Sequence, residues 1–346
     1  MPAPTPAEDP PALEDWRDLL HAALLFHDAA PWTGLGDTPV IGVRDPETGE
    51  VGYASVLGAN GQVFGLLVFR GPEGLWAHGR ANASADSPQD GLAALSIAPV
   101  LQCTFGPRDG VLREEREVFK TLGLHLRGAT AWPTFRSTRP GYMPWRLTRA
   151  EARHLSTVLA ATTAFSRTPA WRPLLDEAAA SSANLRRVVV VTRDPAGAWR
   201  AGLDEVEPRP VLPIDAGFDR VRARRLAART GPRAGVWQLD LRSAPFGIGA
   251  AGARLEASWL GLAVDDGSGL IVHMDVYPAR ERLQPSRFVL DAMQEARLIP
   301  AELRLCRRDV ARALAELGEA LGCTMRWKAR LPHLEAAWNA LLASRA

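Results

Sequence analysis

The chain has 346 residues, of which 47% are hydrophobic and 23% charged, a composition that is typical of a globular protein and excludes a largely disordered one. It is long enough for two domains that each bury a core. No run approaches the roughly 18 apolar residues of a membrane span. The opening MPAPTPAEDPPA lacks the basic and apolar regions of a signal peptide. We therefore predict a cytoplasmic protein without a membrane segment, in which residues 1–10 are a flexible lead-in.

The cysteine content favours a reducing compartment. Cys103, Cys306 and Cys323 are odd in number, far apart and set in apolar, strand-like segments. This pattern is typical of buried free thiols rather than of disulfides or metal ligands. We expect no disulfide-linked partner.

Positive charge is concentrated in the second half of the chain. Residues 1–185 hold 16 Lys and Arg against 20 Asp and Glu, a net charge of −4, whereas residues 186–346 hold 25 against 19, a net charge of +6. A basic half is compatible with a nucleic-acid-binding face. Because only Lys120 and Lys328 are lysines, a solvated arginine-rich surface is the alternative interpretation.

The first half alternates helices and strands. An apolar stripe predicts a helix over 11–27, and three strand-like segments follow at 39–45, 51–58 and 62–70. Asn60 and Gly61 suit a tight hairpin between the last two, so we expect an antiparallel meander. A helix at 71–80, a strand at 97–105 and a helix at 110–122 complete the pattern. Together they predict an N-terminal α+β domain over residues 11–170.

The segment AWPTFRSTRPGYMPWRL, residues 131–147, interrupts that regularity with prolines, tryptophans and arginines. Guanidinium groups fork onto phosphates and aromatic rings stack on bases, so one hypothesis is an anion or nucleobase platform. The other is that proline-fixed backbone wedges the tryptophans between domains. The candidate binding residues are Arg136, Arg139, Tyr142, Trp145 and Arg146. A helix then begins with a capping box formed by Thr148 and Glu151.

Residues 171–346 are predicted to form the C-terminal domain. A helix over 171–181 precedes RRVVVVTRD and AWRAGLDEVEP, which pair as a hairpin across a Pro-Ala-Gly turn. A basic helix over 218–229 follows, and its Arg222 and Arg225 are candidate nucleic-acid contacts. A solvent-facing arginine-rich helix is the alternative.

The last third predicts a mixed sheet. GVWQLDL reads as a strand that carries Asp240 in its middle, and WLGLAVDDGSGLIVHMDVYP reads as a hairpin. Helices and strands then alternate, with Asp309 after LRLC and Glu335 on the final helix. Right-handed crossovers place LRLC and CTMRW side by side. Asp240 suits a metal ligand or an edge residue, and Asp309 suits a helix N-cap equally well.

This part of the chain resembles the core of integrase- and transposase-type ribonuclease H-like domains. The resemblance extends from WQLDL through WLGLAVDDGSGLIV to LRLCRRD. It implies Asp240 and Asp309 as metal ligands, with Glu335 as the third catalytic acid holding Mg²⁺ or Mn²⁺ for phosphoryl transfer.

The whole chain is also similar to an uncharacterised bacterial family that carries two domains of unknown function. The similarity rests on DPETGEVGY, FRSTRPGYMPWRLTRAEARHL, GVWQLDL and LPHLEAAW. No phosphate-binding loop, paired C-x-x-C or H-E-x-x-H motif is present, so no cofactor is firmly indicated. Two functions stay open. One is a non-catalytic module that binds a protein or nucleic acid on a ribonuclease H-like scaffold. The other is a metal-dependent nuclease.

Overall fold

The computed structural model describes residues 9–36, 39–83, 88–179, 186–211, 214–229, 231–250 and 252–343. Most of the predicted lead-in, residues 1–8, lies outside the described part. The chain divides into two compact units. The first comprises residues 1–78, 98–139 and 144–209, and the second comprises residues 79–97, 140–143 and 210–346.

The described residues form eleven α-helices and twelve strands. The helices are α1 Leu13–Ala29, α2 Gly71–Ala83, α3 Pro88–Ser96, α4 Arg113–Thr121, α5 Arg149–Ser166, α6 Pro173–Ala179, α7 Arg220–Arg229, α8 Pro285–Ala296, α9 Arg308–Ala313, α10 Ala315–Leu321 and α11 Pro332–Ala343. The strands are β1 Ile41–Arg44, β2 Val51–Leu57, β3 Phe64–Arg70, β4 Val100–Gly106, β5 Trp132–Thr138, β6 Arg186–Arg193, β7 Trp199–Val206, β8 Val236–Ile248, β9 Glu256–Asp265, β10 Ile271–Pro278, β11 Glu302–Leu305 and β12 Thr324–Trp327.

The first unit is built on a seven-stranded sheet in the order β5-β4-β3-β2-β1-β6-β7. Its pairs are antiparallel except for β1 and β6, which run parallel. The predicted meander of β1, β2 and β3 is confirmed, and so is the β6–β7 hairpin.

The hairpin, however, belongs to this sheet and not to the C-terminal part of the chain. Residues Val188–Val191 are buried beside β1, and this apolar run explains why β6 is an inner strand. The predicted boundary between residues 170 and 171 therefore differs from the division into units, where the last change falls between residues 209 and 210.

Strand β5 lies inside the segment that we expected to be irregular. It pairs with β4 at the edge of the sheet, where Pro133 removes no hydrogen bond from an inner ladder. Trp145 then forms an isolated bridge with Ser137, in which the backbone amide of each residue donates to the carbonyl oxygen of the other. The proline and arginine content of this segment predicts irregular structure, but the segment contains a regular edge strand.

Helices α1 and α5 share the main core of the first unit with the sheet. Helix α5 begins where the capping box predicts. The Glu151 amide donates to Thr148 Oγ1 at 3.3 Å, and the Thr148 amide donates to Glu151 Oε2 at 2.9 Å. Its buried face includes Leu155, Val158 and Leu159, at the spacing of one helical stripe.

The second unit contains a five-stranded mixed sheet in the order β10-β9-β8-β11-β12. Strands β8, β9 and β10 are antiparallel neighbours, and β11 runs parallel to both β8 and β12. This agrees with the predicted placement of LRLC beside CTMRW. Side chains along β8 alternate between the two faces of the sheet. Trp237 and Leu239 face the core formed with α8, α9 and α10. On the other face, Gln238 accepts a hydrogen bond from the Leu334 amide of α11.

Two further features of the described residues bear on the earlier expectations. None of the helices is long and apolar enough to cross a membrane. The three cysteines are buried free thiols, and burial raises the pKa of Cys323 to about 11.

Candidate functional site

The candidate site lies at the carboxyl end of β11, where β8 continues beyond its parallel partner. The register pairs Leu239 with Leu305, so Cys306 and Arg307 follow β11 beside Asp240 and Leu241 of β8. In open sheets with parallel strands, ligands bind in the crevice outside the carboxyl ends of the strands. The sequence thus brings polar side chains to a place where binding sites are common.

Asp240 is a buried carboxylate, 2% exposed, whose oxygens are occupied by hydrogen-bond donors. Oδ2 accepts from Arg242 Nε at 2.6 Å and from Cys306 Sγ at 3.0 Å, and Oδ1 accepts from the Leu241 amide at 2.9 Å. Burial opposes the charged form of Arg242, yet the Asp240 carboxylate raises the pKa of this guanidinium. Burial, followed by the charge of Asp240, raises the pKa of the Cys306 thiol, which therefore stays protonated.

Asp309 is paired in the same way. Arg307 donates from Nε at 3.1 Å and from Nη2 at 2.7 Å to its two carboxylate oxygens, in a forked geometry. Burial by itself would raise the pKa of Asp309, but the Arg307 charge and these hydrogen bonds lower it. Asp309 is the second residue of α9 and not its N-cap, which is Arg307.

Arg307 connects the acids of this edge. It is 4% exposed, its Nη1 donates to the Leu241 carbonyl oxygen at 2.8 Å, and its guanidinium lies 5.5 Å from the centre of the Trp259 ring. Burial lowers its pKa, but the charges of Asp309, Asp240 and Asp90 more than offset this and raise it. The guanidinium thus supplies the positive charge that these buried carboxylates require.

Asp90 brings helix α3 of the second unit to the same edge. It is buried, its Oδ2 lies 3.4 Å from the Arg308 amide that donates to it, and Arg80 lies 3.7 Å away. The neighbouring Asp90 carboxyl also contributes to the lowered pKa of Asp309.

A cavity of about 240 Å³ opens beside these ion pairs. Among the described residues that line it, two are arginines and none is a carboxylate. Within the described part of the chain, Nη1 of Arg242 has no hydrogen-bond partner, and the Arg242 guanidinium lies 5.3 Å from the Trp338 ring centre. The lining residues are Gln89, Leu92, Ala93, Leu241, Arg242, Ser243, Arg307 and Trp338. This arrangement suits one anionic group.

The three predicted catalytic acids are brought together only in part. Asp240 and Asp309 lie at one edge of the sheet and share Arg307 as a neighbour, whereas Glu335 is half-buried in the first turn of α11. Among the residues that the structure describes, no three His, Cys, Asp or Glu side chains form a group that could hold a metal ion. The metal site stays a prediction that these contacts do not favour.

The predicted anion platform around residues 131–147 is largely engaged in internal contacts. Arg136 pairs with Glu115 at 3.1 Å, and Arg139 pairs with Glu151 at 3.0 Å. The Arg146 guanidinium lies 5.1 Å from the ring centre of its neighbour Trp145. The fifth residue, Tyr142, belongs to the second unit, where it forms a backbone bridge to Glu256.

The two candidates on α7 differ from one another. Arg222 donates from Nη2 to Asp291 at 2.6 Å and to Gln294 at 2.8 Å, so it joins α7 to α8. Arg225 is exposed. Of the pair, Arg225 is the one whose guanidinium faces solvent.

Sequence reasoning missed Arg242 and Arg307, although a local signal was present. In a strand, residues two apart point to the same side, so Asp240 and Arg242 on one face predict an ion pair. The same separation joins Arg307 and Asp309. The acids alone suggest metal ligands, whereas the cations two residues away neutralise them.

The fold and this site describe a protein of two mixed α+β units, with a polar pocket at the sheet edge of the second unit. Residues 16–185 match a family model described as Domain of unknown function (DUF7309), and residues 222–342 match one described as Domain of unknown function (DUF6930). The prediction of two domains of unknown function is thus confirmed. A search of the curated proteins finds no match to the chain.

Proposed function

We propose that the second unit is a non-catalytic binding module on a ribonuclease H-like scaffold. The strand order supports the scaffold, because three antiparallel strands are followed by two strands parallel to the first, with helices between them. The observation that carries the functional proposal is the pairing of Asp240 with Arg242 and of Asp309 with Arg307. A divalent cation would have to displace both guanidinium groups, leaving buried charges without partners.

The cavity beside these pairs supports binding in place of catalysis. Its volume of about 240 Å³ is below the roughly 300–1,000 Å³ of pockets that enclose a whole small molecule. It therefore takes one anionic group of a larger partner, such as a carboxylate of a protein or a phosphate of a nucleic acid. Arg242 supplies the positive charge, and Trp338 supplies an apolar wall.

A cleavage assay tests this proposal. The purified full chain is incubated with single- and double-stranded nucleic acid in Mg²⁺ or Mn²⁺, beside the variants Asp240→Asn and Glu335→Gln. We expect no metal-dependent cleavage by the native chain above the level of the variants. Metal-dependent cleavage that both substitutions abolish would establish the nuclease hypothesis in its place.

Two measurements guard this assay against misfolding and contamination. Thermal unfolding of each variant shows whether a lost signal reflects a lost fold, which is a concern for Asp240→Asn because Arg242 then lacks its anion. Glu335 is half-buried and outside the ion-pair cluster, so Glu335→Gln is the milder substitution. Calorimetric titration with Mn²⁺ gives an independent readout, and the proposal predicts no saturable heat that depends on Asp240.

A further inference from the structure

The first unit carries a groove lined by basic side chains that form no ion pairs with the other described residues, unlike several arginines elsewhere in that unit. Its cavity volume is about 670 Å³, and five cations line it: Arg108, Arg113, Arg116, Lys120 and Arg127. Among the described residues that line it, Glu117 is the one carboxylate. With His125 neutral, the lining carries a net charge of five minus one, or +4.

These cations are not used to hold the fold together. Elsewhere in the unit, arginines such as Arg136, Arg139 and Arg153 are bound to buried or half-buried carboxylates. Within the described residues, none of the five groove cations forms an ion pair. Four of the five are exposed, and Arg116 is half-buried. The excess of positive charge in the groove therefore favours the binding of an anion.

The spacing of the cations indicates a ligand with several negative charges. Arg113, Arg116 and Lys120 lie three and four residues apart on α4, so they share one helix face. At 1.5 Å per residue, the face extends about 10 Å from the first to the third. One phosphate group cannot contact cations along that length, whereas consecutive phosphates of a chain can.

An aromatic side chain borders the cations. Trp132 is half-buried at the start of β5, and one side of its ring stacks on the buried Phe119, with ring centres 6.4 Å apart and planes 18° apart. The guanidinium of the exposed Arg108 lies 5.8 Å from the centre of the Trp132 ring. Aromatic faces beside cationic grooves bind unpaired bases, because every base offers a flat π-surface.

We propose that this groove binds single-stranded nucleic acid. Phosphates lie along Arg113, Arg116 and Lys120, and one base stacks at Trp132 in exchange for the Arg108 guanidinium. A duplex fits less well because its bases are already stacked and unavailable to a side chain. The proposal concerns a surface of the first unit and is independent of the pocket in the second.

Fluorescence anisotropy with labelled oligouridine and oligothymidine of about 12 nucleotides tests it on the full chain. The principal variant replaces Arg113, Arg116 and Lys120 together by Gln, which preserves helix propensity and removes three charges. The matched variant makes the same change at Arg224, Arg225 and Arg229, all exposed on α7. We expect the α4 variant to lose at least tenfold in affinity and the α7 variant to change less than twofold. The RNA and DNA arms show which backbone is preferred.

Salt dependence and the aromatic residue give two further readouts. The three phosphate contacts on α4 together account for about −2.1 in the slope of log affinity against log salt, so the slope of the α4 variant should be shallower by about that amount. Trp132→Leu should weaken binding about tenfold while leaving that slope unchanged. Thermal unfolding shows whether Trp132→Leu is folded, and the α4 variant keeps the test decisive if it is not.

Three outcomes would overturn the proposal. The first is no binding at about 50 mM salt, where phosphate contacts are strongest. The second is equal loss in the α4 and α7 variants, which would indicate attraction by overall charge. The third is equal affinity for inorganic polyphosphate with no effect of Trp132→Leu, which would assign the groove to simple polyanions.

Discussion

Arg307 is a buried cation that neutralises the charge of the surrounding buried carboxylates. Its guanidinium binds both oxygens of Asp309 and lies near Asp240 and Asp90. Replacing it by Met keeps an apolar stem of similar length but leaves buried acids unpaired. We expect Arg307→Met to lower the free energy of unfolding by about 3–5 kcal/mol, measured by urea denaturation at neutral pH.

Arg225→Met is the matched control for this substitution. It removes the same charge from an exposed position on α7 of the same unit, and its effect should stay within about 0.5 kcal/mol. Equal unfolding midpoints for Arg307→Met and Arg225→Met would mean that Arg307 does not neutralise the acids.

The same ion pair predicts a particular pH dependence. In the folded chain the pKa of Asp309 is lowered, so its carboxylate stabilises the fold above the unfolded pKa, and this contribution is lost as the pH falls through the folded pKa. In Arg307→Met the pKa of Asp309 should rise instead. The difference in stability between native chain and variant should therefore shrink as the pH falls from neutral through the ordinary aspartate pKa of 3.8 and below it. A difference that is constant with pH would argue against this linkage.

At the scale of elements, the contact between β9 and α8 depends on the absence of a side chain. A methyl group at Gly261 would lie 2.6 Å from Phe288 Cε2, closer than real contacts allow. Because Phe288 is fully buried in the core, its ring has little room to move. We expect Gly261→Ala to destabilise the chain by about 1–3 kcal/mol in urea unfolding.

Gly202 on β7 is a strand glycine that, unlike Gly261, has open space where a side chain would be. A methyl group there would have no neighbour within 4 Å, so Gly202→Ala should stabilise the chain by about 0.4–1 kcal/mol through the unfolded state. Destabilisation by both substitutions would show that loss of glycine, and not the contact with Phe288, is responsible.

Helices and strands could be predicted from the sequence where the local residue pattern matches the place of the element in the fold. Helix α5 has its capping box and an apolar stripe, and the β8, β9 and β10 strands have alternation and turn residues. Strand β5 was missed because Pro133 is disfavoured in sheets and tolerated only by its edge position. Edge position is a tertiary property that no local pattern contains.

The site shows the same division between local and tertiary information. The resemblance to ribonuclease H-like domains implied that Asp240 and Asp309 lie near one another, and the parallel pairing of β8 with β11 brings them to one edge of the sheet. The role of Arg307 was not implied, because its guanidinium is directed to Asp309, the Leu241 carbonyl and Trp259 by packing across the sheet edge. As residue types, Asp240 and Asp309 suggested metal ligands. Their arginine neighbours in the folded chain instead neutralise their charge.

At the scale of the whole molecule, neither unit is one continuous stretch of chain. The second unit takes residues 79–97 and 140–143 from within the first half. Helix α3 contributes Ala93 and Ile97, just beyond its end, to the core that also contains Leu241 and Leu305. It also provides Asp90, whose carboxylate accepts from the Arg308 amide. The C-terminal sequence therefore lacks part of its own core.

This interleaving predicts that residues 210–346 expressed alone are less stable than the same residues in the full chain. Without α3, the surface that covers Ala93 and Ile97 is exposed to water, and the Arg308 amide loses the Asp90 oxygen. We expect a lower urea midpoint for the fragment, followed by intrinsic fluorescence of Trp237 and Trp259, which are buried within it. A synthetic peptide of residues 88–97 added in trans should raise the midpoint, whereas a peptide with Asp90→Ala and Ile97→Ser should not. An unchanged midpoint in the fragment would mean that α3 adds nothing to this unit, and the C-terminal matched region, residues 222–342, would then be a self-sufficient domain.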